Sequence, residues 1–145
     1  ARPELSISQD RAAGFREALE GFTGEVIVEH GEAFSRDCGR QLMEQLLQQL
    51  GHLPDALVTT SYVLLQGVFD ALHDFPLKSR PLRLGTFGDT QLLDFLPLPV
   101  NAMAQQHQLI AETALRLALV AVEDEQYQPG VHAIGRTFKQ RIREA

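Results

Sequence analysis

Apolar residues recur along this chain in two rhythms, one of three to four residues and one of short unbroken runs. Ala12, Phe15, Ala18 and Leu19 fall at helical spacing, which predicts a helix over 6–20. Ser6 with Gln9 three residues on has the pattern of a capping box at its start, and Gly21 closes it. Val26-Ile27-Val28 inside 25–29 is a β-branched run suited to a buried strand. Phe34, Cys38, Leu42, Met43, Leu46, Leu47 and Leu50 then sit three or four apart, a strongly amphipathic helix that Gly51 ends. A strand over 56–60 follows, and Ser61 is placed to cap a third helix with the core stripe Leu65, Val68, Phe69 and Leu72. Tyr62, Val63 and Leu64 widen its apolar surface, so this helix is either deeply buried or packed on a partner.

The second half repeats the alternation. The chain from 82 to 87 reads as a strand after a loop over 74–81, Gly88-Asp89 as a tight turn, and Leu92 to Leu96 as a short helix. Pro97 and Pro99 stop that helix, because proline lacks an amide hydrogen and drives the preceding residue towards extended backbone. A strand over 100–103, a long helix over 106–123, a polar linker over 124–130, a strand over 131–138 and a charged tail complete the chain. Strands alternating with helices predict an α/β fold, a mostly parallel sheet with helices on both faces. In such sheets ligand contacts lie beyond the carboxyl ends of the strands, so the turn after residue 87 is the first candidate for a site.

Composition narrows the function. A chain of 145 residues with 44% apolar and 22% charged residues is one globular unit with a real core. Its net charge of −6 argues against a nucleic-acid surface, which needs clustered positive charge. No run approaches the roughly 20 apolar residues of a membrane span, and ARPELSISQD does not have the pattern of a secretory signal. The single cysteine, Cys38, has no internal disulfide partner, which makes a cytoplasmic location the expectation.

Catalytic signatures are missing from the sequence: there is no phosphate loop, dinucleotide fingerprint, zinc helix or nucleophile elbow. His30, His52, His73, His107 and His132 are scattered without metal-ligand spacing, so neither metal nor cofactor is expected, and no general-base pair suggests an enzyme. Cys38 lies on an apolar stripe and reads as core packing rather than as a nucleophile. Two residues carry open readings. Asp89 is either a helix cap or a ligand contact at a strand end, and Arg11 is either a solvated arginine or an anion clamp.

Five short motifs in order carry a resemblance: R-x-x-G-F at 11–15, A-L-V-T-T-S with L-L-Q-G-V at 56–68, T-F-G-D at 86–89, L-P-L-P-V at 96–100 and A-Q-Q at 104–106. Together they resemble the effector-binding domain of the LacI/GalR transcriptional regulators, almost end to end. TTSYVLLQGV and TFGDTQLLDFL are most like the fructose-responsive branch of that family.

The resemblance implies the parallel-sheet lobe of a periplasmic-binding-protein-like fold, incomplete in this chain. Residues 1–104 would be the carboxyl-terminal lobe, and 105–145 crossover strands and a helix of the amino-terminal lobe and hinge. The helix-turn-helix that binds operator DNA would be absent. It further implies an effector site of Arg11, Ser61, Gly88, Asp89, Gln105 and Arg136. Where the family usually carries aspartates, this chain has Tyr62 and Gly88; two fewer carboxylates favour a phosphorylated sugar, fructose 1-phosphate or fructose 1,6-bisphosphate, over a neutral one. A phosphate held between Arg11 and Arg136 is the sharpest form of the expectation. Family members pair as dimers or tetramers, here expected through Gln66, Phe69 and Leu96. The alternative is a sugar-binding transport receptor with the same lobe plan.

Overall fold

The computed structural model describes residues 4–75 and 82–143. The chain runs α1 (Ser6–Ala18), α2 (Arg36–Leu50), β1 (Ala56–Thr59), α3 (Tyr62–His73), β2 (Arg83–Phe87), a 3-10 turn (Gln91–Phe95), β3 (Val100–Ala104), α4 (His107–Glu123) and β4 (Thr137–Lys139). Most of the expected 74–81 loop and the end of the charged tail lie outside the described residues.

The sheet has the order β1-β2-β3-β4. β1, β2 and β3 are parallel, with Leu57 opposite Leu84 and Leu84 opposite Val100. β4 joins antiparallel, Met103 facing Phe138. Burial alternates along the strands as the pleat requires. Thr59, Leu84, Thr86, Val100 and Ala102 are buried, while Val58, Gly85 and Asn101 between them are not. The buried face carries α2 and α3, and its core is built from Met43, Leu65, Leu72, Leu84 and Val100. Helices on both faces were expected; among the described residues only this face is packed in that way.

α2 and α3 cross in close contact because glycines meet there. A Cβ on Gly39 would collide with the Leu64 carbonyl, and one on Gly67 with the backbone of Arg36 and Arg40. Ser35 caps α2 by accepting from the Cys38 amide, and Gly51 ends it in the left-handed conformation at φ 71°. Arg36 crosses to Asp70 through two hydrogen bonds, 2.5 and 2.6 Å, and ties the same helix pair at its surface. Cys38 is half-buried on the α2 stripe.

Four expectations are corrected. α1 starts without a capping box: Leu5 stands at its N-cap and no side chain caps it. Residues 25–29 form no strand, although Ile27 packs on the core; a β-branched run has strand character only where a neighbouring strand completes its ladder. The last strand is short, Thr137–Lys139, and Val131 is 98% exposed, because pairing with β3 begins only at Thr137. Asp89 does not cap the 3-10 turn; Thr90 does, its hydroxyl accepting from the Leu92 amide. No residue of α4 is buried, and Leu109, Leu115, Leu119 and Val122 are exposed along it.

Candidate functional site

The carboxyl ends of β1, β2 and β3 and the start of α3 converge on Phe87. The sheet delivers this ring at the end of β2, and Gly88 then turns the chain with φ 91°, a conformation that glycine adopts without a Cβ penalty. The Gly88 amide donates to the Met103 carbonyl at 3.1 Å, which holds the turn against the end of β3.

Two arginines reach the same ring from distant parts of the chain. Arg11, on the first turns of α1, places its guanidinium carbon 5.0 Å from the Phe87 centroid and donates to the Thr60 carbonyl at 2.5 Å. Arg136, just before β4, lies 5.9 Å from that centroid and donates to the Met103 carbonyl at 3.2 Å. The hydrogen-bond acceptors are main-chain carbonyls, so these bonds neutralise neither charge. Burial first, and then the like charge of Arg136, pushes the Arg11 guanidinium below its ordinary value. Arg11 is therefore more than a solvated side chain, and two cations concentrated around one aromatic ring are chemically suited to an anion.

The remaining sequence-derived residues divide. Ser61 lies two residues beyond the end of β1 and caps α3, its Oγ accepting from the Val63 amide at 3.2 Å. Tyr62 leans over the turn: a Cβ at Gly88 would come within 2.9 Å of its Cδ1. Asp89 is turned into an ion-pair cluster: Arg141 reaches its Oδ1 at 2.7 Å and Lys139 its Oδ2 at 3.5 Å. Gln105 is exposed; the amide that bridges the two crossover segments belongs to its neighbour Gln106, which donates to the Gly135 carbonyl at 2.7 Å. Of the surface residues expected at a dimer contact, Gln66 is exposed, while Phe69 and Leu96 are half-buried against the core.

Sequence reasoning missed Arg141. It placed this residue in a charged tail, yet its side chain is only 9% exposed. Arg141 also donates to Asp94 at 2.8 Å and to the Val100 carbonyl at 3.1 Å, and its own amide donates to Asn101 Oδ1 at 2.8 Å. Burial, the largest single influence, lowers its pKa, but the hydrogen bonds and charges of Asp89 and Asp94 together raise it above the ordinary value. Nothing in a run of charges at a chain end signals such a role; it depends on where β4 returns to the sheet.

Beside Arg11 and Phe87 opens a mostly apolar groove of about 180 Å³, running between β1 and residues 27–30. It is smaller than the roughly 300–1,000 Å³ usual for small-molecule sites, so the arginine pair at its mouth, rather than the groove itself, is the candidate contact point. Among the described residues no three His, Cys, Asp or Glu side chains group as a metal site, and no helix is long and apolar enough to cross a membrane.

No family model matches the chain. Its relatives nonetheless define a class. The fold is that of the dimeric Lac repressor, with a TM-score of 0.75 over 93% of this chain and 49% of that one at 20% identity. The chain is a relative of the LacI-family transcriptional regulators and has the fold of their effector-binding domain. Within that class it is 43% identical over 141 residues to the fructose operon regulatory protein of Vibrio cholerae, covering 97% of this chain and 43% of that protein. It is 73% identical to the Cra transcriptional dual regulator of Pseudomonas putida, solved in complex with fructose 1-phosphate. The TM-score there is 0.90, over 97% of this chain and 52% of that one. The chain thus spans about half the length, or less, of the relatives it matches.

Proposed function

We propose that this chain is the ligand-sensing part of a LacI-type regulator whose effector is a phosphorylated ketose, fructose 1-phosphate in the first place and fructose 1,6-bisphosphate in the second. The observation that carries the reading is the convergence of Arg11 and Arg136 on Phe87. Guanidinium groups bind phosphate oxygens through paired, charge-assisted hydrogen bonds. Ser61, Gly88 and Asp89 border the same strand ends, and Gln105 the start of the crossover. The relative from Pseudomonas putida, which binds fructose 1-phosphate, supports the choice of ligand.

On this reading residues 1–104 form one lobe of the sensor, and 105–145 supply crossover segments and a helix to a second lobe. The exposed apolar side chains of α4 fit that assignment. Sugar phosphate between the lobes favours one lobe arrangement, and differential affinity for the two arrangements is what releases operator DNA held by a separate domain. Pairing into a dimer or tetramer involves Gln66, Phe69 and Leu96, with Phe95, 83% exposed, beside them. The protein is a cytoplasmic regulator and has no catalytic role. Calorimetric titration of fructose 1-phosphate into the chain and its Arg11→Ala variant tests the site. Loss of about tenfold or more in affinity is expected; an unchanged affinity overturns it.

A further inference from the structure

β4 has little of its own to fix its register. It pairs with β3 through Thr137, Phe138 and Lys139, and none of these side chains is buried. Register is firmly specified where one face of a strand enters a core, and weakly where neither does. The site nevertheless depends on it, because Arg136 immediately precedes β4 and donates to the Met103 carbonyl near the carboxyl end of β3. A slip of one residue would carry Arg136 about 3.3 Å along the sheet and turn its side chain to the other face, away from Phe87. Gln106 ties the same segment at the Gly135 carbonyl, but one bond from a rotatable side chain can follow such a shift.

The fixed point lies at the far end of β4, beside the start of β3. Asn101 Oδ1 accepts from two successive amides, those of Arg141 at 2.8 Å and Ile142 at 2.9 Å. The Arg141 side chain donates to the Val100 carbonyl and pairs with Asp89 and Asp94. A one-residue slip would present Gln140 or Ile142 to those two carboxylates, and neither carries a charge to match them. We propose that Asn101 and Arg141 are positioning residues: they pin the register of β4 and thereby hold Arg136 at Phe87, where it meets an anion together with Arg11. Neither needs contact with the ligand; both act along the strand, through Arg136. The inference rests on the phosphorylated-sugar reading and adds to it what keeps the second cation in place.

The test titrates fructose 1-phosphate calorimetrically into the chain, its Asn101→Leu, Asn101→Asp, Arg141→Gln and Arg136→Gln variants, and the Asn101→Leu/Arg136→Gln double variant. Amide hydrogen exchange of the ligand-free proteins is recorded alongside. Asn101→Leu removes the shared acceptor, so amides over 137–142 exchange faster and affinity falls by about tenfold, the loss of one charge-assisted phosphate contact. Asn101→Asp keeps an acceptor oxygen in place and stays within about threefold of the parent; an equal loss in the two Asn101 variants overturns the inference. Once Arg136 has lost its charge the pin has nothing left to position, so the double variant binds within about twofold of Arg136→Gln. A merely structural defect does the opposite: its loss persists in the Arg136→Gln background, and that result overturns the inference. Unchanged exchange over 137–142 in both Asn101→Leu and Arg141→Gln, or full affinity in both, overturns it as well. If the parent chain binds no fructose 1-phosphate, or Arg136→Gln binds it like the parent, the underlying reading fails and takes the inference with it. A parent that binds through Arg136 while the pin variants keep full affinity fails the inference alone.

Discussion

Arg11 and Arg136 stand 125 positions apart in the chain and hold their guanidinium carbons 5.0 and 5.9 Å from one ring centroid, that of Phe87. Each donates to a main-chain carbonyl, Thr60 for one and Met103 for the other. The π electrons of the ring attract both, which offsets part of their mutual repulsion. What remains is a local excess of positive charge in a protein whose net charge is −6. An anion between the two groups relieves it.

The first prediction follows from that repulsion. Fructose 1-phosphate at millimolar concentration raises the melting temperature of the chain, because a ligand that binds the folded state stabilises it by mass action. Arg136→Gln keeps a hydrogen-bonding amide but removes the charge, and it loses most of that shift. Thermal melts with and without the ligand measure both. An equal shift in the two proteins contradicts the role given to Arg136.

Tyr62 and Gly88 act as one steric unit. Gly88 has φ 91°, and a Cβ there would meet Tyr62 Cδ1 at 2.9 Å. Gly88→Ala therefore destabilises the fold by about 1–2 kcal/mol from the backbone conformation alone, with the contact added to it. In a double-mutant cycle with Tyr62→Ala the contact contribution disappears and the conformational one persists. Urea unfolding of the four proteins separates them; strict additivity means that the ring does not press on the turn.

The proposed pairing of subunits would use the apolar surface next to Leu96. Phe95 is 83% and Leu92 66% exposed. If dimers form there, Phe95→Asp buries a charge at the contact and raises the dimer dissociation constant by about tenfold or more. Sedimentation equilibrium reads this directly, and the monomer's unfolding midpoint stays where it was.

Acid weakens the ion-pair clusters in a defined direction. Asp94 is held below its ordinary value of 3.8 by hydrogen bonds from Arg141 and Lys139, and Asp70 by that from Arg36. A carboxylate whose folded pKa is depressed stabilises the fold fully above the unfolded value and loses that contribution as pH falls through the folded one. The loss therefore falls below about pH 3.8. Asp94→Asn flattens this part of the stability curve, recorded by chemical denaturation from pH 5 to pH 2, and leaves the slope above pH 5 unchanged.

The sequence by itself determined those local elements whose signals lie within a few residues. The period of three to four in α2, the glycine that ends it and the serine that caps α3 are all short-range physics, and the structure has each where the pattern put it. Arg11, Phe87 and Gly88 were likewise named through motif order, and Arg136 through its place on the expected last strand. Only the tertiary structure decided what depends on a neighbour. Whether Val26-Ile27-Val28 is a strand rests on a ladder partner, and the described residues give it none. Gly39 and Gly67 are helix-interior glycines whose cost is repaid only when α2 and α3 cross upon them. Arg141 is one charge in a charged tail until β4 pairs with β3 and sets it against Asp89 and Asp94. Periodicity and capping act within a few residues, whereas ladders, close crossings and ion-pair partners depend on separations in space that the order of residues does not state.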